Sequence, residues 1–491
     1  MSDFEAIFRE PSEARQVELR VVDGVVPPQL RGTLLRNGPG RQRAGQTPVH
    51  FLDGYAFAAS VNFQPGRVVY NARHVDLPLA RKESAAGRLL ERRVFTNRPG
   101  GRIANALRLV PSSSASHDVY AWAGSVVVAD LDAHFLLDPA TLETRGPAPL
   151  NRLAATLTTL AAMPHIDPFS GHLVVYTATP GLLGSDQLTI IELDADWNER
   201  ARVERRLGVK GAVPHDVATT ENFYVVVQLG MLSVAQAAAG GGTIIDAIGL
   251  EGEGSRLLAI PRRGDGAIRS LPLPPGCQTF HLANAYEEDG VLVVDTALHE
   301  GLVDFSLLNP ADPRGRSSSS GRGCAGPFLA RHTLELASGQ HRVVVHRQAP
   351  GEVPKVRQDR LGRRHRFAYT SVQGTRGDEP VDNAYYWNHG IAKLDCDAGT
   401  TSSMWDAGPR VLVSAPQFVP RQGADGAAGD VAEDDGFVCA WTHDVAADRG
   451  ELVILEATDL ARGPVARLAL PAPLPPPSHV DWTMALPAIA P

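Results

Sequence analysis

Three of the chain's 16 histidines stand in similar surroundings, each between polar or turn residues and a β-like run. His215 lies in VPHDVATTENFYVVV, His281 in TFHLANAYEEDGVLVVD and His479 in PLPPPSHVDW. Neutral imidazole is a nitrogen ligand for first-row metals, and a histidine set without thiolate suits iron, copper or zinc and leaves redox iron chemistry open. A single histidine is more often packed or solvated than a ligand, so the reading depends on convergence. These three are too far apart in sequence to form a local pair. They meet only if the fold carries distant strand ends to one axis.

The rest of the sequence is consistent with such a fold. A chain of 491 residues implies several domains or one large repeat-built β domain. Its apolar segments are short, rich in Val, Leu and Tyr, and bounded by Gly, Pro, Asp and Asn. Examples are GRVVYNARHV (66–75), GSVVVAD (124–130), GHLVVYTAT (171–179), NFYVVVQ (222–228), HRVVVHRQA (341–349) and GELVILEATDL (450–460). This pattern predicts an antiparallel all-β protein of hairpins, with each histidine at the mouth of a strand. Hairpins repeated over such a length predict a β-propeller, whose radial blades protect strand edges and leave a central axis. No fixed repeat period is visible, so the pattern alone sets no blade count.

Three segments interrupt the strands. PADPRGRSSSSGRGCAGP (310–327) and GADGAAGD (423–430) read as flexible surface insertions in a single domain. The third, LGMLSVAQAAAGGGTIIDAIGL (229–250), is apolar around a glycine-rich centre. It has two readings: an ordinary helix or loop packed into the core, or an apolar patch that meets a bilayer or lines the mouth of a lipid tunnel.

Composition narrows the function classes. A formal net charge of -8 argues against a general nucleic-acid binder, which needs clustered Lys and Arg against phosphate. The basic stretches at 262–269 and 360–366 read as solvated loops. Four dispersed cysteines with no CxxC pair point to a reducing, cytoplasmic setting. The N-terminus has no signal-peptide pattern, and no apolar run approaches the roughly 18 residues of a spanning helix. A soluble protein is expected, resting at most on a membrane surface.

Several stretches resemble, in order, the motifs of the carotenoid cleavage oxygenases: LRGTLLRNGPG (30–40), HFLDGYAF (50–57), TNRPGGRIANAL (96–107), VPHDVATTENF, TFHLANAYEEDG, EVPKVRQDRLGRRHRFAY (352–369), PQFVPRQG (416–423) and EDDGF (433–437). The resemblance covers nearly the whole chain. It implies a seven-bladed β-propeller with a loop and short-helix cap over an axial non-haem iron, Fe(2+), held by four histidines. It implies cleavage of a conjugated C=C bond of a carotenoid or apocarotenoid with O2 to give two carbonyl products. An apolar polyene is then the substrate, and segment 229–250 a peripheral membrane contact guiding it.

Carried over residue by residue, the catalytic metal ligands are His215, His281 and His479. The family's fourth ligand falls in AHPxxDP, where this chain reads AMPHIDP, so Met163 occupies that position and His165 lies two residues on. Glu352 and Asp130 match carboxylates that orient ligand rings from behind; Ala415 replaces a third. Two outcomes stay open: a working iron dioxygenase, or a catalytically impaired propeller that binds a polyene or a partner without turnover. A propeller hydrolase is a weaker third, since it would hold its cation partly by carboxylates. If Met163 marks a vacancy, Met163→His is expected to raise iron affinity.

Overall fold

In the computed structural model, the described residues are 8–486 apart from 113, 155–157, 182–184, 251–254, 304, 306–307, 309–324, 373–387, 423–431 and 476–478. Strands account for 51% of the protein and helices for 9%. All the strands pair antiparallel except for one parallel bridge, Gln348 to Thr400. They form a seven-bladed β-propeller. Blade I combines Ala14–Glu18, Gly32–Arg41, Tyr55–Gln64 and Arg67–His74 with His479–Thr483, while Arg20–Gly24 pairs with Pro464–Ala469 at the outer edge of blade VII. Blades II to VII follow in sequence order, with innermost strands at Asp118–Trp122, Thr159–Leu160 with His165–Ile166, Ala212–Thr219, Cys277–Glu288, Glu352–Lys355, and Val411–Val413 with Gln417–Pro420.

The apolar runs are continuous rather than alternating because both faces of each blade are buried. In the strand Ser125–Ala129, Val126 and Val128 join a core shared with Leu35 and Ala58 of blade I, while Val127 and Ala129 pack into a core shared with Ile190 of blade III and Val226 of blade IV. In Phe223–Leu232, Tyr224 and Val226 face that second core, and Val225 and Val227 face Leu292 and Val294 of blade V. Successive side chains thus seal neighbouring blade interfaces, and the blades stack radially.

Where blade V meets blade VI, the fully buried Asp295 accepts from Arg331 Nε at 2.9 Å and Nη2 at 2.7 Å, with His365 Nε2 3.1 Å away and Cys396 beside them. Both carboxylate oxygens are taken by the guanidinium, so the cluster is a structural ion pair.

The histidines do not all stand at strand mouths. His215 lies within Ala212–Thr219 and His281 within Cys277–Glu288, each where the register shifts: between Pro214 and Val217, and between Thr279 and Leu282. His479 opens its strand. An inner strand lines the axis with polar residues and carries bulges, which removes the alternation that marks a strand in sequence and re-aims the side chain at the bulge. The expected insertion at 310–327 lies outside the described residues up to 324, and its last three residues open the strand Ala325–Glu335. The segment 423–430 also lies outside them.

Candidate functional site

His215, His281 and His479 come together on the axis, joined by a fourth ring the sequence reading missed. His117 immediately precedes the inner strand of blade II. Ring centroids are 5.3 Å apart for His117 and His215, 5.6 Å for His215 and His281, 5.4 Å for His281 and His479, and 4.9 Å for His479 and His117. The rings thus close a quadrilateral drawn from blades I, II, IV and V. His117 opens the tripeptide HDV, as His215 does, but so does His443, which does not line the axial cavity, so the tripeptide alone does not single out His117. At the two axial copies the aspartate, Asp118 or Asp216, accepts from the backbone N–H of the following valine.

Glu352 is 2% exposed. Its Oε2 lies 2.8 Å from His281 Nδ1 and its Oε1 lies 2.8 Å from His299 Nε2. With Nδ1 donating to the carboxylate, His281 keeps its Nε2 lone pair. The next residue, Val353, sits at φ 48° and lines the cavity described below. A left-handed β-branched residue is an outlier of the kind that a surrounding structure holds in place at functional sites.

Asp130 does not act as expected. It accepts from the Leu131 N–H at 2.8 Å, and Nδ1 of His215 is buried without a partner. The short aspartate side chain folds onto its own backbone where a glutamate would reach further. Ala415 offers no acceptor, and Nδ1 of His479 is likewise unpartnered; Asp118 Oδ1 lies 3.7 Å from it, at ion-pair rather than hydrogen-bond distance. His165 makes no ring contact with the four and has Asp167, Arg262 and Lys355 as its electrostatic neighbours.

These residues fit a metal ion. A ring nitrogen about 2.1 Å from a metal sets the ring centroid about 3.2 Å from it. Adjacent centroids 4.9–5.6 Å apart therefore leave a central space in which one ion would be within reach of all four rings. Nε2 of His117 and of His281 are buried with no hydrogen-bond partner, a cost that a ligand offsets. Burial lowers the His215 pKa to about 4 and pushes those of His117 and His479 well below the usual value, which keeps these rings neutral, the form that donates a lone pair. At His281 burial works in the same direction, but the Glu352 carboxylate outweighs it and raises the value.

All four rings line a cavity of about 300 Å³ whose other walls are mostly apolar, among them Leu52, Phe95, Leu229, Phe280 and Phe305. Leu232, Val234, Ile244, Ile245 and Ile248 continue the lining, so segment 229–250 walls the cavity as a strand end, the helix Val234–Ala239 and a short turn. The adjoining helix Gly101–Asn105 and the residues after it carry Ile103, 93% exposed, and Leu107, 79% exposed. Arg92 ties these two lips together, donating to the carbonyls of Asn105 at 3.2 Å, Arg108 at 3.0 Å, Ala237 at 2.7 Å and Gly242 at 2.8 Å. Among the described residues, no helix is long and apolar enough to cross a membrane.

Residues 7–484 match the family described as retinal pigment epithelial membrane protein. The chain is 29% identical to an apocarotenoid-15,15'-oxygenase of Synechocystis sp. over 478 residues, 94% of this chain and 92% of that one. It is 27% identical to an isoeugenol monooxygenase of Pseudomonas putida over 490 residues, 97% of this chain and 96% of that one. The crystal structure of cobalt-substituted Synechocystis apocarotenoid oxygenase superposes with a TM-score of 0.84 at 27% identity, covering 98% of each chain. Histidine-lined axis, propeller and sequence therefore agree, and the chain belongs to the retinal pigment epithelial membrane protein family of carotenoid cleavage oxygenases.

Proposed function

We propose that the protein is a non-haem iron(II) dioxygenase that cleaves a conjugated double bond of a carotenoid or apocarotenoid with O2 to give two carbonyl products. The observation that carries this reading is the imidazole ring at the inner wall of an apolar cavity. Iron(II), when bound, supplies the activation of dioxygen. His215, His281 and His479 would hold it. Glu352 fixes the tautomer and tilt of His281. Phe280 packs at 5.6 Å edge-on to His215 and at 5.8 Å to Phe305, so the aromatic wall excludes water and sets the register of a rigid polyene. No charged side chain is required to move a proton, since both oxygen atoms end in the products.

A second reading, a polyene-binding member without turnover, is favoured by the unpartnered Nδ1 atoms of His215 and His479, which leave two rings without the carboxylates the family uses. Protein purified under reducing conditions decides between them. Near-stoichiometric iron with bleaching of an apocarotenoid and aldehyde formation is expected; absence of iron after anaerobic reconstitution, or iron without aldehyde, would overturn the dioxygenase reading.

We infer a cytoplasmic protein in peripheral contact with a bilayer, and the apolar residues at the cavity mouth favour that contact. Ile103 and Leu107 offer apolar side chains for the interface, flanked by Arg102 and Arg108. The double substitution Ile103→Glu and Leu107→Glu is expected to lower co-sedimentation with anionic phospholipid vesicles at least fivefold. Cleavage of a detergent-solubilised substrate should stay unchanged. Equal sedimentation of both proteins would remove the membrane from the picture.

A further inference from the structure

We infer that the fourth metal ligand has moved from one blade to another: His117 of blade II takes the role that Met163 of blade III can no longer fill. This rests on the reading of the axial site as a metal centre, and it concerns where the chain makes good the lost imidazole.

Four observations converge. First, His117 is the ring that closes the cluster. His215 and His479 make no ring contact with each other, and His117 lies between them, stacked on His479 at 29° and 4.9 Å and tilted 56° to His215 at 5.3 Å. Second, its Nε2 is buried without a hydrogen-bond partner while the ring lines the cavity beside His215, His281 and His479. A buried imidazole nitrogen with no protein acceptor or donor is costly unless something else satisfies it.

Third, the backbone around His117 is pinned. Asn37, which pairs with His479 in the strand register, donates its side-chain amide to the Ala115 carbonyl at 2.8 Å and to the Asp118 carbonyl at 2.9 Å, on either side of His117. The His117 N–H in turn donates to the Ala129 carbonyl at 3.1 Å. One buried asparagine thus sets the spacing between the His479 strand and the His117 turn, the kind of preorganisation a metal site needs. Fourth, blade III brings no ring to the cluster. Ala162 lines the cavity but Met163 does not, and His165, although its Nε2 is also buried without a hydrogen-bond partner, makes no ring contact with the cluster. A thioether is in any case a poorer partner for iron(II) than imidazole.

Cobalt(II) loaded anaerobically into the full-length protein tests this through its visible ligand-field spectrum, independently of turnover. X-ray absorption at the cobalt edge counts the imidazoles. The wild type is expected to show four. His117→Ala is expected to show three, with affinity at least 100-fold weaker, since removing even an outer-sphere partner costs 10–100-fold. Met163→His alone is expected to leave affinity within threefold of wild type. In the His117→Ala background it should recover at least tenfold, because the original position becomes useful only when the relocated ligand is gone. His117→Gln, which keeps the bulk of the side chain, separates loss of a ligand from a folding defect: it should melt like wild type without metal and still bind cobalt weakly. Unchanged affinity and spectrum in His117→Ala and His117→Gln, or a tenfold gain from Met163→His alone, would overturn the relocation while leaving the metal centre standing. A wild-type protein that binds no cobalt would instead overturn the functional reading on which it rests.

Discussion

Glu352→Gln is expected to weaken cobalt or iron affinity by 10–100-fold, about 1.4–2.8 kcal/mol, without unfolding the protein. The carboxylate serves two buried rings at once, His281 and His299, each at 2.8 Å and each through its own oxygen. Glutamine preserves the shape but has one acceptor and no charge, so one ring loses its partner and the other loses the charge-assisted bond. Two of the other axial rings already lack an outer hydrogen-bond partner, which leaves His281 as the well-anchored member of the set. Anaerobic competition against a chelator measures the effect. An affinity within threefold of wild type would mean that ring orientation is set by packing rather than by Glu352.

The second large effect is on stability. Asp295→Asn is expected to cost about 3–5 kcal/mol at neutral pH, because it leaves the largely buried Arg331 without its counter-charge. Burial alone would push the Asp295 carboxyl up; Arg331 and His365 more than reverse that and hold it at about 2, against an ordinary value of 3.8. A depressed carboxylate contributes stability that is fully present above its unfolded value, about 3.9, and is lost as the pH falls through that value toward 2. The wild type should therefore lose about 2 kcal/mol of this contribution between pH 5 and pH 2, and the asparagine variant should lack that component of the acid slope. Urea midpoints across this range are the measurement. Parallel pH profiles for the two proteins would show that Arg331 finds another partner, such as Asp397 at 3.0 Å.

Much of this architecture was legible in the sequence. Runs such as GSVVVAD and NFYVVVQ read as strands because both of their faces are buried, and an apolar run between turn residues has few other uses. The inner strands were harder to see. Cys277–Glu288 mixes Gln278, Thr279, His281 and Asn284 among its apolar residues and is bulged twice, so neither apolar content nor alternation marks it. His215, His281, His479 and Glu352 were legible through motif order. His117 was not, because the motif directs attention to the AMPHIDP stretch, and the HDV tripeptide it shares with His215 also occurs at His443, away from the axis. Asp130 failed for a local reason, its side chain being short enough to bond the next backbone N–H. At the mouth, the apolar character of 229–250 is mostly turned inward, while Ile103 and Leu107, in the stretch TNRPGGRIANAL that the sequence marked only for its family resemblance, are turned out.

The strand His479–Thr483 pairs with Gly32–Arg41 to complete blade I, with Asn37 opposite His479. That pairing joins segments far apart in sequence, so the strands between them are made before it can form. Until His479 is made, the chain carries three of the four axial imidazoles, and on the metal reading loading would follow the closing of the circle. Once loaded, the ion would work as a rivet: peeling the terminal strand from the N-terminal one would have to break a coordinate bond along with the ladder of hydrogen bonds.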